Sequence, residues 1–109
     1  MGSEMCIRDR GIDALYVGPA DLGISLGLGP GSDNAHPSFQ DALSHVLGAC
    51  NSAGITPGIH SVPELVQTRL GQGFKMVTAT SDLIATTAGA KLHLAVANGT
   101  ASAEAGSIY

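Results

Sequence analysis

Gly11-Ile-Asp-Ala-Leu-Tyr-Val-Gly-Pro-Ala-Asp21 sets the reading of this chain. Its apolar run, Ala14 to Gly18, is too short for a helix and carries the aromatic and β-branched residues of a strand; Gly18-Pro19 ends it and a carboxylate comes next. The unit returns twice. Ile55-Thr-Pro-Gly-Ile59 ends at His60-Ser61, and Lys75-Met-Val-Thr-Ala79 ends at Thr80-Ser81-Asp82, each leading into a helical pattern. Strand–helix repetition of this kind predicts an α/β fold with parallel strands buried on both faces. Right-handed crossovers then place the C-terminal ends of the strands on one rim, where Gly18-Pro19-Ala20-Asp21, His60-Ser61 and Thr80-Ser81-Asp82 converge.

The helices are marked by their ends as much as by their stripes. Phe39, Ala42, Leu43, Val46, Leu47, Cys50 and Ala53 recur at helical spacing between Pro37, which opens a helix without losing a bonded N–H, and Gly54, which can close it in the left-handed conformation. Ser61-Val-Pro-Glu64 has the form of a capping box, so a helix carrying Leu65, Val66 and Leu70 is expected to start at Ser61 and stop near Gly71 or Gly73. A third helix is expected from Asp82 to Ala97, with Thr80 or Ser81 as its cap and Leu83, Ile84, Ala88, Leu92, Ala95 and Val96 facing the sheet.

Composition excludes several classes of function. The 109 residues are 44% hydrophobic and 13% charged with a net charge of −4, which suits one domain or a piece of one. Arg8, Arg10, Arg69, Lys75 and Lys91 are scattered, so no basic stripe offers itself to nucleic acid. No apolar run is long enough to cross a bilayer and no secretory leader opens the chain, so the expected location is the cytoplasm. Cys6 and Cys50 form no C-x-x-C pair, and Cys50 falls on the apolar helix stripe, where a thiol packs as a small hydrophobe. Residues 1–10, MGSEMCIRDR, show no periodicity; MCIRDR resembles the translation of a sequencing-library adapter, so this segment is expected to be foreign. Residues 99–109 are small and polar, an expected disordered tail.

Asp21 is the strongest candidate for chemistry. A carboxylate just past a strand, on a loop opened by Gly18 and Pro19, is the oxygen donor that a hard divalent cation wants. From spacing alone, Asp21 reads equally as a cap for a short helix over Leu22 to Leu26. His60 reads as a pocket residue or as a rim histidine, and His36 as a helix-start residue ahead of Pro37. His45 and His93 fall on helix surfaces. Gly27-Leu-Gly-Pro-Gly31 is a loop and not a phosphate cradle, since it lacks the G-x-G-x-x-G form and Pro30 removes a donor.

Residues 11–27, GIDALYVGPADLGISLG, resemble the GPADL-containing sixth strand and loop of the HpcH/HpaI aldolase and citrate lyase family. Asn34-Ala-His-Pro37, Ala53-Gly54, Pro57-Gly-Ile-His60 and Gly73-Phe-Lys-Met-Val-Thr78 leading to Ser81-Asp82 extend the resemblance to about Asn98. It implies a partial (β/α)8 TIM barrel over residues 11–98, units six to eight only. It implies reversible cleavage of 4-hydroxy-2-oxo acids to pyruvate and an aldehyde, in a homo-oligomeric parent protein. A divalent Mg, Mn or Co ion would bind the carboxylate and keto oxygens of pyruvate and stabilise its enolate as a Lewis acid. By position Asp21 matches a metal ligand, Gly18, Pro19 and Ala20 match the backbone around pyruvate with the N–H groups of Ala20 and Asp21 toward its carboxylate, and His60 matches a residue on the aldehyde side.

The departures also carry weight. The family's glutamate ligand, pyruvate-clamping arginine and histidine base lie before the sixth strand, and Glu4 stands at the wrong distance to replace the first. This chain is therefore expected to hold no complete catalytic set and to be inactive alone. Gly23 stands where the family often has Ser, and the loop over Leu26 to Ala35 is slightly long. Two alternatives remain: an acyl-CoA lyase of the malyl or citramalyl type, against which Pro19 speaks, and a non-catalytic βα packing module.

Overall fold

The computed structural model describes residues 11–102. The expected foreign segment, residues 1–10, and most of the expected tail, residues 103–109, lie outside the described residues. The chain divides into two units, residues 1–79 and 80–109.

The first unit is built on three parallel strands, β1 (Ala14–Val17), β2 (Thr56–Ile59) and β3 (Met76–Val77), in the order β1-β2-β3. Tyr16 is registered with Gly58, and Gly58 with Met76; one residue on, Val17 meets Ile59 and Ile59 meets Val77. Pro57 is tolerated in the middle strand because its carbonyl accepts the Lys75 N–H ahead of the β2–β3 ladder, which starts at Gly58. Its missing donor therefore falls at the edge of the pairing.

Among the described residues of this unit, the strands bury one face in a core and leave large side chains of the other exposed, where burial on both faces was expected. Val17 and Ile59 are buried in a core with Phe39, Leu43 and Phe74, flanked by Leu15, Leu22, Leu28, Val46, Leu47 and Val77. The opposite face carries Tyr16 and Met76, 46% and 43% exposed. Gly58 lies between them, where an added Cβ would come within 2.7 Å of Met76 Cε and 3.2 Å of Tyr16 Cδ2. The reason is the period of two along a strand: Leu15 and Val17 turn to the core side, and Tyr16 between them turns to the other.

The main covering helix, α2 (Pro37–Ala53), comes after the shorter α1 (Pro19–Ser25). Its limits are those the sequence predicts: His36 caps it by accepting the Ser38 N–H on Nδ1, Pro37 occupies the first turn, and Gly54 ends it at φ +70°. Phe39, Leu43 and Cys50 are buried along its stripe, each large apolar side chain contributing about 1.5–3 kcal/mol. The third helical segment departs from expectation. A 3-10 turn over Pro63–Leu65 precedes α3 (Val66–Gln72), which ends at Gly73 with φ +114°. Ser61 forms no capping box: it is buried, its N–H is taken by Thr78 Oγ1 at 2.7 Å and its hydroxyl donates to the Val62 carbonyl.

Arg69 of α3 is fully buried. Its guanidinium donates to the Ser32 carbonyl at 2.6 Å, to Asp33 at 3.1 Å and to Gln72 Oε1 at 3.1 Å, which ties the loop after α1 to α3. The same loop closes on α1 at Gly23, where an added Cβ would clash with the Gly29 carbonyl oxygen. That contact accounts for glycine at this position.

In the second unit, α4 (Asp82–Ala97) begins at Ser81, whose Oγ accepts the Ile84 N–H at 3.2 Å. Gly99 at φ +74° and the Thr100 N–H on the Ala95 carbonyl close it. The expected burial of its apolar stripe is not met: none of its residues is buried and Leu83 is 74% exposed. Its apolar residues run all round the helix, so no single face is set apart for a core.

Candidate functional site

The site is made by the segments that leave the ends of β1 and β2. After Val17 the chain keeps an extended residue, Gly18 (φ −96°, ψ 103°), and then turns directly into α1 with Pro19 at its first position. The helix thus starts earlier than the Leu22 to Leu26 expected from sequence, because Pro19 is pre-set for a first turn. Asp21 is the third residue of α1 and not its cap. Gly18, as N-cap, has no side chain to offer, so the Ala20 and Asp21 N–H groups receive no side-chain cap.

The orientation of Asp21 comes from Gly18. An added Cβ on Gly18 would lie 2.8 Å from Asp21 Oδ2. Gly18 continues the alternation of β1, so that Cβ would point to the face of Tyr16, the open face of the sheet. The carboxylate therefore folds back over the end of β1 on the open side, in the first turn of a helix, where the dipole favours an anion.

His60 arrives beside it from β2. The His60 N–H donates to the Val17 carbonyl at 2.9 Å, which fixes His60 next to Gly18, and its parity with Gly58 puts its side chain on the same open face. There its Nδ1 lies 3.0 Å from Tyr16 Oη, with the rings edge to face at 6.3 Å. Thr78, just past β3, adds Oγ1 at 3.4 Å from both Tyr16 Oη and His60 Nδ1.

Of the residues expected from sequence, Gly18, Asp21 and His60 thus share one end of one face. Pro19 is buried beneath the turn, and Ala20 is exposed beside Asp21. Ser81 and Asp82 are engaged at the start of α4, where Asp82 Oδ1 accepts the Leu83 N–H. Tyr16 and Thr78 were not singled out by sequence reasoning; the available signal was their position, two residues before Gly18 and at the end of β3, with hydroxyls on the open-face parity. Among the described residues no three His, Cys, Asp or Glu side chains come together as a metal-holding group. Cys50 is buried, and burial pushes its thiol up from the ordinary value, the opposite of what a reactive thiolate needs. A hollow lined by Leu47, Asn51, Pro57, Gln72 and Lys75 lies at the starting ends of β2 and β3, away from these groups. No helix among the described residues is long and apolar enough to cross a membrane.

No family model matches the chain, but known proteins resemble it in sequence and in backbone. The hydroxypyruvate/pyruvate aldolase of Rhizorhabdus wittichii is 34% identical over 86 residues, covering 78% of this chain and 34% of that protein. The 4-hydroxy-2-oxovalerate aldolase of Rhodococcus jostii is 41% identical over 73 residues, or 66% of this chain and 28% of its own length. The 4-hydroxy-2-oxo-heptane-1,7-dioate aldolase of Klebsiella pneumoniae is 35% identical over 78 residues, or 69% and 29%. This chain therefore spans about a third of the length of the curated relatives it matches. Among solved structures, an HpcH/HpaI aldolase/citrate lyase family protein from Burkholderia cenocepacia superimposes with a TM-score of 0.76 at 29% identity, over 87% of this chain and 37% of that one. Sequence relatives that are aldolases, a solved family member with the same backbone, and the turn from Gly18 to Asp21 at a strand's end lead to one statement: the chain belongs to the HpcH/HpaI aldolase/citrate lyase family.

Proposed function

We propose that residues 11–98 are the sixth to eighth βα units of a (β/α)8 barrel whose whole chain reversibly cleaves 4-hydroxy-2-oxo acids to pyruvate and an aldehyde. The observation that carries this reading is the placing of the Asp21 carboxylate, over Gly18, on the same face and at the same strand ends as His60. The bare sheet face supports it as well: Tyr16 and Met76 are large groups left exposed at positions that a closed barrel fills with side chains from its other strands.

On this reading the uncapped N–H groups of Ala20 and Asp21 hold the carboxylate of the 2-oxo acid, with Pro19 keeping the turn rigid. His60 lines the side on which the aldehyde leaves or enters. A divalent ion (Mg, Mn or Co) supplies Lewis-acid polarisation of a carbonyl oxygen when bound. The described residues do not by themselves fit such an ion, because Asp21 offers one hard donor and no companion carboxylate or imidazole joins it in a group of three. The missing glutamate, arginine and histidine base are assigned to the part of the barrel before β1, so the 109-residue chain alone is inactive. The relatives named above are aldolases, which disfavours the acyl-CoA lyase alternative.

The test joins residues 11–98 to the part of the Rhizorhabdus wittichii relative that precedes its matched 86 residues. Pyruvate release from a 4-hydroxy-2-oxo acid is expected from this hybrid with Mg, Mn or Co, none from the 109-residue chain, and none from the hybrid with Asp21→Ala. Cleavage at full rate after Asp21→Ala would sink the reading.

A further inference from the structure

The hollow at the starting ends of β2 and β3 takes no part in the site above, and its lining points to a ligand of its own. It measures about 330 Å³, the size of a small organic molecule, and its walls all belong to the first unit. Leu47, Ile55 and Pro57 give it an apolar side, on which Pro57 is buried and the other two are half-buried. Asn51, Gln72 and Lys75 give it a polar side, and no Asp or Glu lines it.

The Gln72 amide is turned by a neighbour. Fully buried Arg69 donates from Nη1 to Gln72 Oε1 at 3.1 Å, and since a guanidinium only donates, the oxygen is the atom held and Nε2 is left with its two donors. Lys75 adds a cation that pairs with no carboxylate among the described residues, where Arg69–Asp33 is the ion pair. Its backbone is fixed, the N–H donating to the Pro57 carbonyl at 2.9 Å. Two helices, α2 and α3, end beside the hollow, and free carbonyls there would favour a cation. Four of them are already bonded: the Cys50 and Asn51 carbonyls accept the Ile55 and Gly54 N–H groups, and those of Arg69 and Leu70 accept the Phe74 and Gly73 N–H groups. Gln72 and Lys75 thus offer a ligand donors and a positive charge.

We propose that this hollow binds a small aliphatic carboxylate, its anionic end on Lys75 Nζ and Gln72 Nε2 and its hydrocarbon end on Leu47, Ile55 and Pro57. The inference does not rest on the aldolase reading. An inorganic anion would meet the charge and leave the apolar side wet. An alcohol would cover the apolar side and leave the ammonium to water.

The test titrates the 15N-labelled 109-residue chain with sodium butanoate and, separately, with sodium phosphate and with butanol, following the Gln72 side-chain amide and the backbone amides of Gly73 and Lys75. Butanoate is expected to shift these signals to saturation, with a Kd in the millimolar range. Lys75→Gln is expected to weaken binding at least about fivefold and Gln72→Leu about threefold, while Lys75→Arg keeps it within about twofold. Both side chains are exposed, so signals from the core should stay in place in each variant. Added sodium chloride should weaken binding to the unaltered chain, a readout that needs no variant. Shifts that do not saturate, a Kd unmoved by Lys75→Gln or by salt, or phosphate or butanol binding as tightly as butanoate would each overturn the proposal.

Discussion

The carboxylate of Asp21 rests over the Cα of Gly18, with Oδ2 2.8 Å from where a Gly18 Cβ would stand. The two residues are three apart in sequence, at the join of a strand and a helix, and the seat exists only because the first of them lacks a side chain. Glycine here is thus tied to the acid and not to the turn, since its φ of −96° is open to any residue.

Gly18→Ala separates these two roles. The displaced group is the end of a short side chain, free to rotate, so stability in urea is expected to fall by about 1 kcal/mol or less, most of it from a poorer N-cap. In the hybrid barrel the same change is expected to reduce pyruvate release at least about tenfold, with Asp21 still present. Equal rates for the hybrid with and without Gly18→Ala would show that the seat does not matter.

What the sequence made legible was local. Pro37, Gly54, Gly73 and Ser81 mark helix ends through their own backbone chemistry, and all four stand where that chemistry predicts. That Asp21 and His60 fall just past the ends of β1 and β2 follows from the same strand–helix alternation. The failures are long-range. Ser61 was expected as a cap but its N–H is claimed by Thr78, 17 residues away; Arg69, buried against Asp33, 36 residues away, and Tyr16, which meets His60, 44 residues away, were given no role. No periodicity within a window encodes such pairs.

Gly58→Ala probes the closeness of the open face. The new methyl would meet Met76 Cε at 2.7 Å, Met76 O at 3.1 Å and Tyr16 Cδ2 at 3.2 Å, so backbone as well as side chain must shift. A loss of about 1–3 kcal/mol is expected from urea unfolding. Combining it with Met76→Ala is expected to cost less than the sum of the two, because the first contact is then relieved. Strict additivity would show that the crowding is absent.

Arg69→Ala should be among the most damaging single changes in the first unit. It removes a fully buried side chain that donates to the Ser32 carbonyl, Asp33 and Gln72, and it leaves a cavity in place of the tie between α3 and the loop after α1. About 3 kcal/mol is expected from urea unfolding. Asp33→Asn should cost less, since Asp33 is 41% exposed and the amide oxygen can still accept. The reverse order of the two would mean that charge, and not burial and hydrogen bonding, holds the loop.

Cys50 links burial to pH. Desolvation raises its thiol above the ordinary 9.0, so the folded chain holds the proton more tightly than the unfolded chain does. Its contribution is therefore complete below 9.0 and is lost as pH rises from there through the folded value, where the unfolded thiol ionises first. In a Cys6→Ser background, the urea midpoint should hold up to about pH 9 and then decline, and Cys50→Ala should remove that part of the decline. The same burial makes labelling of Cys50 by a thiol reagent wait on opening of the core beneath α2, so its rate should rise with urea in step with unfolding. Rapid labelling in native buffer would place the thiol at the surface and contradict both expectations.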